Sequence, residues 1–209
     1  MRITIFGATG RTGKHLLDQA LAAGHEVTAV VRDPAKVTAE HPALSVVRAD
    51  VMDPAAVEPQ VTGRDAVLSA LGSTSTKHPT TVQTGSTTSI LAAMGWAGVR
   101  RFLVVSNSGM VTAGDDVLTR FLVKPVLRRI FRHPWTDMAH MEDVVRASGS
   151  DWTIIRPPML TEGPRTGRYR TAVDRNVRGG RRLSRADLAD CLLRNLDDSS
   201  IRATISVAD

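Results

Sequence analysis

A chain of 209 residues is long enough for one domain whose core needs neither a metal nor a disulfide to hold it together. Its formal net charge of +6 favours anionic partners, whether nucleic acid, a membrane or phosphorylated ligands. Its single cysteine excludes an internal disulfide. No stretch reaches the ~18 apolar residues of a membrane helix, and the strand-like start leaves no room for a cleavable signal, so we expect a cytoplasmic protein.

Strands and helices alternate along the chain. The apolar run from Ile3 to Phe6 ends at Gly7 and predicts a buried strand, and residues 12–23 place leucines and alanines at helical spacing. The pattern continues through predicted strands at 25–32, 44–50, 65–71, 100–106, 151–157 and 203–208, and helices at 54–60, 80–97, 136–147 and 184–196. It predicts an α/β fold in a single domain, 1–209: a Rossmann doubly wound parallel sheet flanked by helices.

Two segments, which we expect to be substrate-side insertions, interrupt this alternation. Residues 109–135 carry two sets of side chains at helical spacing, one basic and one apolar: Arg120, Lys124, Arg128 and Arg132, and Phe121, Val126, Leu127 and Ile130. This favours an amphipathic helix with a solvated basic stripe; a surface for an anionic partner and a dimer contact stay open. Residues 162–182 are rich in Gly and Arg, which favours a mobile loop that could cover the ligand crevice.

The segment ITIFGATGRTGKHLL combines a strand, a glycine turn and a helix. Gly7 permits the tight turn, Gly10 lets the backbone approach a diphosphate, and Gly13 lets helix and strand pack closely. The free N–H groups at the start of the helix favour phosphate binding. In this context the turn predicts a dinucleotide site.

The end of the second strand selects the cofactor. An acidic residue there favours NAD, whereas an arginine accommodates the 2′-phosphate of NADP. The chain has Arg32 at this position, Lys36 one helical turn later and Arg11 inside the glycine turn; Asp33 stands one residue late. These cations predict NADPH rather than NAD.

Two later strand ends complete the predicted cofactor site. Asp50 is placed to accept a hydrogen bond from the adenine amino group, with Val51 beside the ring. Leu71, Gly72 and Ser73 close the fourth strand, where a small residue lets the backbone pass near the ribose and the nicotinamide.

Five segments together resemble the atypical short-chain dehydrogenase/reductases: GATGRTG (7–13), RDP (32–34), RADV (48–51), VVSNSG (104–109) and DWTIIRPP (151–158). Within these, the chain is similar to the NAD(P)H-binding group that includes NmrA-like proteins and the biliverdin reductase B or flavin reductase type. The resemblance implies cofactor contacts from residues that match by position: Thr9, Gly10, Arg11, Thr12, Gly13, Arg32, Lys36, Asp50, Val51, Leu71, Gly72, Asn107, Ser108, Pro157, Pro158, Met159 and Leu160.

The chain departs from the superfamily at its acid–base pair. Many members use Tyr-x-x-x-Lys, in which the lysine lowers the tyrosine pKa. Here the single tyrosine, Tyr169, is followed four residues later by Val173, and the expected positions hold Pro134 and Met138. This favours substrates that accept hydride without a built-in acid, such as flavins, quinones or other conjugated molecules.

The remaining candidates for chemistry are few. Ser108 matches the family serine and is predicted to orient the substrate or the carboxamide, and His140 is a candidate proton donor, with a surface histidine as its alternative. Cys191 lies on a predicted amphipathic helix and is expected to be a buried structural thiol. Metal and acyl-transfer motifs are absent from the sequence.

Three functions follow from these observations. The first is an NADPH-dependent reductase of a conjugated small molecule; the second is a non-catalytic NmrA-like dinucleotide sensor; the third is an isomerase or epimerase on the same scaffold. The expected partner is a small-molecule substrate, with a homodimer left open. Neither a membrane nor nucleic acid is expected as a partner.

Overall fold

The protein forms one eight-stranded sheet covered by helices on both faces. The computed structural model describes residues 1–73, 78–197 and 200–209. The strands are β1 (Arg2–Phe6), β2 (Glu26–Val31), β3 (Leu44–Arg48), β4 (Ala66–Ser69), β5 (Arg101–Val105), β6 (Asp151–Arg156), β7 (Met159–Thr161), β8 (Arg170–Val173), β9 (Arg182–Ser184) and β10 (Ala203–Ala208). The α-helices are α1 (Arg11–Ala22), α2 (Pro54–Val61), α3 (Val82–Ala97), α4 (Lys124–Ile130), α5 (Arg132–Ala147) and α6 (Arg185–Arg194).

The strand order confirms the predicted Rossmann fold. It is β3-β2-β1-β4-β5-β6-β10-β8, in which every neighbouring pair is parallel except the last. The direction of the chain's crossovers reverses at β1, so β2 and β4 lie on either side of it. In such sheets ligands bind at the carboxyl ends of the strands, beside this switch point.

Two apolar layers hold the helices to the sheet. On one face, Leu16 and Leu17 of α1 pack with Leu188 and Leu192 of α6. On the other face, α2, α3 and α5 bury side chains that include Val57, Ile90, Met94, Met141 and Val145. Cys191 of α6 is buried, as predicted, and burial raises the pKa of its thiol to about 12.

The predicted helix at 136–147 begins four residues earlier, at Arg132. Pro134 lies in its first turn, where an N–H has no acceptor within the helix and proline is therefore tolerated. None of the described helices is long and apolar enough to cross a membrane.

The prediction of a mobile loop at 162–182 is wrong for part of that segment. Residues Arg170–Val173 form β8, the antiparallel edge strand of the main sheet, and β9 pairs with β7 in a separate two-stranded sheet. The side chains of β8 are exposed or only partly buried, so the strand is held by backbone hydrogen bonds to β10 and carries little apolar pattern.

The predicted basic stripe is also wrong at one position. Lys124 is buried, with only 7% of its side chain exposed. The apolar side chains Phe121, Val126 and Ile130 are exposed instead. The helical spacing was right, but it could not tell which side of the helix faces the protein.

Candidate cofactor and substrate site

Two glycines make the turn from β1 to α1 possible. Gly7 has a φ of +84°, and a Cβ atom there would lie 2.8 Å from the carbonyl oxygen of Ala70, at the end of the neighbouring strand β4. A Cβ on Gly13 would lie 1.9 Å from the carbonyl oxygen of Gly7. Any side chain at these positions would force the turn apart, so the predicted roles of Gly7 and Gly13 agree with the geometry.

The first turn of α1 is open towards the crevice. Its N-cap residue is Gly10, no side chain caps it, and its first turn holds no acidic residue. The N–H of Gly10 donates to the carbonyl of Gly7 over 2.9 Å, which leaves Arg11, Thr12 and Gly13 with the uncapped N–H groups of the helix start. The positive end of the helix dipole adds to them, so this turn fits an anionic diphosphate, with Thr9 and Gly10 bordering it.

The end of β2 presents two cations. Arg32 is exposed and forms no ion pair within the described chain, whereas Lys36 lies 3.7 Å from Asp33. The Asp33 carboxylate also accepts a hydrogen bond from the N–H of Ala35 over 3.2 Å and so caps the short 3₁₀ turn that follows. Asp33 therefore serves the turn, and Arg32 is the cation left free for a ligand.

At the end of β3, Asp50 is exposed and accepts a hydrogen bond from the N–H of Met52 over 2.9 Å. Val51 beside it is partly buried. One carboxylate oxygen of Asp50 is thus used by the local turn.

Arg11 reaches across the crevice. Its Nε donates to Glu162 Oε1 over 2.7 Å, and Arg185 donates to the same oxygen over 2.8 Å. Glu162 follows β7, so one exposed carboxylate joins the glycine turn to the segment beyond β6. Sequence reasoning missed Glu162 because its partners lie 151 and 23 residues away.

The far part of the predicted cofactor site lies after β4, β5 and β6. Leu71, Gly72 and Ser73 follow β4, Asn107 and Ser108 follow β5, and Pro157, Pro158, Met159 and Leu160 follow β6. The Ser108 N–H donates to the Pro157 carbonyl over 2.9 Å, which joins the second and third of these segments. The parallel strands therefore place all three at one edge of the sheet.

A cavity of about 600 Å³ opens at this edge. Asn107, Ser108, Pro158 and Met159 line one side of it. The other walls come from both insertions and the last strand: Gly109, Asp115, Leu118, Thr119, Val123, Lys124, Leu127, Phe131, Trp135, Asn176, Val177, Gly180, Arg181, Ser206, Val207 and Ala208. Its lining is mostly apolar, and its size suits a small-molecule ligand.

Two aromatic rings form part of the cavity wall. Phe131 and Trp135 are stacked, with ring centroids 5.7 Å apart and an angle of 20° between their planes. The Trp135 ring lies against Gly109, where an added Cβ would come within 2.5 Å of it. The Ser108 hydroxyl has no hydrogen-bond partner among the described residues, so it is free to donate to a ligand in the cavity.

A buried ion pair closes the cavity on the side of the first insertion. Lys124 Nζ lies 2.5 Å from Asp115 Oδ2 and 3.1 Å from the Ser108 carbonyl, to which it donates. The other Asp115 oxygen accepts from Asn176 Nδ2 over 2.8 Å. Burial lowers the pKa of Lys124, and Asp115 opposes that effect only in part. The pair joins the two insertions to the strand end that carries Ser108.

A second buried network holds the end of β5. Glu142 accepts from Ser106 Oγ over 2.6 Å, from Arg156 Nε over 2.8 Å and from Arg146 over 2.7 Å. Burial by itself would raise the pKa of Glu142, but these hydrogen bonds and the charge of Arg156 outweigh it and hold the pKa below its ordinary value. The network locks α5 to β5 and β6 just below Ser108.

The structure separates the two candidates for chemistry. Ser108 lines the cavity, whereas His140 is exposed on α5 and is not among the cavity residues. Tyr169 also lies elsewhere: its hydroxyl donates to Asp190 over 2.7 Å, and burial, reinforced by that carboxylate, raises its pKa. Among the described residues, no cluster of His, Cys, Asp and Glu could hold a metal ion.

A sequence profile described as NAD(P)H-binding matches residues 7–199. The chain belongs to this NAD(P)H-binding family. The uncharacterised family relative YwnB of Bacillus subtilis is 28% identical over 203 residues, which cover 94% of this chain and 92% of that protein. An uncharacterised chloroplastic protein of Arabidopsis thaliana is 30% identical over 175 residues, covering 79% of this chain and 61% of that protein.

Solved structures show the same architecture over the whole NAD(P)H-binding chain. A proposed NADH-flavin reductase from Streptococcus pneumoniae has a TM-score of 0.79 and 27% identity, covering 100% of this chain and 99% of its own. A short-chain dehydrogenase/reductase from Veillonella parvula, solved in complex with NADP, has a TM-score of 0.80 and 20% identity, covering 100% and 94%. The sequence profile and the neighbour from Streptococcus pneumoniae agree with the resemblance to the NAD(P)H-binding group that includes the flavin reductase type. The neighbour from Veillonella parvula shows that the fold is shared.

Proposed function

We propose that this protein is an NADPH-dependent reductase of a planar, conjugated small molecule such as a flavin or a quinone. The observation that carries the proposal is the apolar cavity with its stacked Phe131–Trp135 wall, which opens beside Ser108 at the edge of the sheet where the glycine turn lies. Apolar walls with a few polar groups suit an acceptor that stacks on aromatic rings.

The cofactor is held, in this proposal, by residues that follow the ends of six strands, β1 to β6. The N–H groups of α1 bind its diphosphate, and Arg32 binds the 2′-phosphate, with Lys36 in support. Asp50 and Val51 lie beside the adenine; Leu71, Gly72 and Ser73 lie beside the ribose, and Asn107, Ser108 and residues 157–160 beside the nicotinamide. The NADP-bound neighbour from Veillonella parvula supports only the claim that this architecture accepts NADP.

When bound, NADPH supplies a hydride to the acceptor. The chain contributes position and exclusion of water: the cavity wall holds the acceptor's ring plane, and the Ser108 hydroxyl donates a hydrogen bond to its polar atom. The acceptor completes its two-electron reduction with a proton from solvent, because Tyr169 is tied to Asp190 and His140 is exposed outside the cavity.

NADPH oxidation with a panel of flavins and quinones, followed by the loss of nicotinamide absorbance, tests this function. Trp135→Ala is expected to raise the KM for the acceptor about tenfold or more, because the loss of one aromatic stacking contact costs about 1.5 kcal/mol. The Kd for NADPH should not change. Trp96→Ala is the matched control, because this tryptophan is 60% exposed at the far end of α3. No turnover with any acceptor, together with tight NADPH binding, would instead favour the dinucleotide sensor.

A further inference from the structure

The helical part of the first insertion exposes an unusual number of apolar side chains. We call this surface the insertion face: Val117, Leu118, Phe121, Leu122, Val123, Val126 and Ile130. They are seven of the fourteen exposed large apolar side chains in the described part of the chain, and their exposed fractions range from 42% to 76%. A concentration of this kind within fourteen consecutive residues marks a contact surface rather than scattered surface apolar residues.

The helical backbone brings these side chains together. Residues Thr119–Val123 form a π-helical turn that continues directly into α4. Leu118, Leu122, Val126 and Ile130 follow one another at intervals of four residues and therefore share one side of this helix. Phe121, 69% exposed, widens the apolar strip.

Apart from Asp116, which precedes the face and accepts hydrogen bonds from Thr119, the charges along the insertion face are positive. Arg120, Arg128, Arg129 and Arg132 are exposed, and none of them forms an ion pair within the part of the chain that the structure describes. The sequence has no Asp or Glu between residues 117 and 136. Lys124, the other cation of the segment, is buried and paired with Asp115, so it does not contribute to the exposed positive charge.

We propose that the insertion face binds the surface of an anionic phospholipid bilayer, with the helix lying in the plane of the interface. Exposed aromatic and aliphatic side chains flanked by arginines are the composition that such a helix requires, since the apolar groups enter the headgroup region and the cations meet the lipid phosphates. A second copy of the chain fits less well, because a two-fold contact would bring the arginines of both copies together.

The expectation of no membrane partner rested on the lack of a spanning segment in the sequence, and a helix lying in the interface needs no such segment. The same insertion lines the cavity through Leu118, Thr119, Val123, Lys124 and Leu127, so two members of the insertion face, Leu118 and Val123, also border the cavity. Docking would therefore bring the cavity close to the bilayer, where apolar conjugated acceptors partition. The membrane contact itself does not depend on the proposed reductase activity.

Co-sedimentation of the purified protein with vesicles tests the proposal. Two kinds of vesicle are compared: phosphatidylcholine with about 30 mol% phosphatidylglycerol, and phosphatidylcholine alone. We expect binding to the anionic vesicles that weakens as salt is added. Arg120→Gln/Arg129→Gln should lower the partition coefficient about 30-fold, and Phe121→Ser/Leu122→Ser at least about tenfold.

Matched controls distinguish binding through the insertion face from nonspecific effects of net charge and exposed apolar surface. Arg48→Gln/Arg202→Gln removes the same charge elsewhere, and Trp96→Ser removes an exposed aromatic ring at the far end of α3; both should bind like the parent protein. Circular dichroism checks that each variant is folded. The proposal would be overturned if the parent protein bound neutral and anionic vesicles equally, or bound neither. It would also be overturned if the two insertion-face variants bound anionic vesicles as strongly as the parent protein does. A dimer in sedimentation velocity that Phe121→Ser/Leu122→Ser dissociates would overturn it as well.

Discussion

Lys124 and Asp115 form an ion pair in which each side chain is only 7% exposed. They lie nine positions apart in sequence, and the pair joins the helical part of the first insertion to the loop that leads into it. Through the Ser108 carbonyl and Asn176, the same two side chains also contact the end of β5 and the second insertion. One buried pair thus holds three walls of the cavity in place.

Breaking this pair on one side should be costly. Lys124→Met leaves the Asp115 carboxylate buried without its cation, and we expect the free energy of unfolding to fall by about 3–5 kcal/mol. The double variant Lys124→Met/Asp115→Leu removes both charges and should recover much of the loss. Urea denaturation of the parent, the two single variants Lys124→Met and Asp115→Leu, and the double variant measures these free energies. A double variant whose loss equals the sum of the two single losses would contradict this prediction.

The two glycines of the α1 turn should differ in what they control. Gly13→Ala places a Cβ against the Gly7 carbonyl and should unfold the protein or abolish its expression in folded form. Gly10→Ala meets only that carbonyl, at 3.1 Å, so it should remain folded but bind NADPH weakly, because its Cβ occupies the approach to the diphosphate. Thermal unfolding and calorimetric titration separate the two effects.

Gly95→Ala is the matched control for these variants. This glycine lies inside α3 with nothing within 4 Å of an added Cβ. The substitution should leave NADPH binding unchanged and stabilise the protein by up to about 1 kcal/mol, because alanine is the better helix former.

Cofactor choice is expected to depend mainly on Arg32. It is the cation of the site without an ion pair in the described chain, whereas Lys36 lies near Asp33 and Arg11 is bound to Glu162. Arg32→Glu should weaken NADPH binding about 100-fold, because it removes a charge-assisted hydrogen bond worth about 3 kcal/mol. NADH binding should be nearly unchanged. Lys36→Gln should have a smaller effect. Equal losses for both dinucleotides in a calorimetric titration would remove the argument for NADPH.

The Glu142 network should give the protein an acid-sensitive component of stability. The folded-state pKa of Glu142 lies below its ordinary value of 4.5, so the unfolded chain takes up the proton first as the pH falls. This stabilisation is therefore complete above about pH 5 and is lost as the pH drops through the lowered folded-state value. Glu142→Gln should be less stable at neutral pH and should lack this part of the acid dependence.

Asp143→Asn provides the control on the same helix. The Asp143 side chain is 75% exposed, and its contact with Arg146 is 3.7 Å long. Its removal should change the free energy of unfolding by less than about 1 kcal/mol at any pH. An acid profile for Glu142→Gln identical to that of the parent would show that the network does not carry the linkage.

The sequence alone determined those features whose signal is local. The glycine turn, the alternation of strands and helices, and the position of Arg32 depend on a few neighbouring residues and on burial patterns with a fixed period. Gly7 has a positive φ within this short turn and Gly13 packs against the Gly7 carbonyl, so their roles follow from the order of residues in that segment. Sequence bounds for most elements were right within a few residues for the same reason.

Tertiary structure alone decided the cavity, its aromatic wall and the inward direction of Lys124. A helical spacing of four residues places Lys124 among arginines, but only the fold shows that Asp115 and the Ser108 carbonyl lie on its side of the helix. Likewise, β8 is held by backbone hydrogen bonds to β10, which leave no mark on side-chain pattern. Contacts between residues far apart in sequence are set by how the elements pack, and local sequence patterns do not specify that packing.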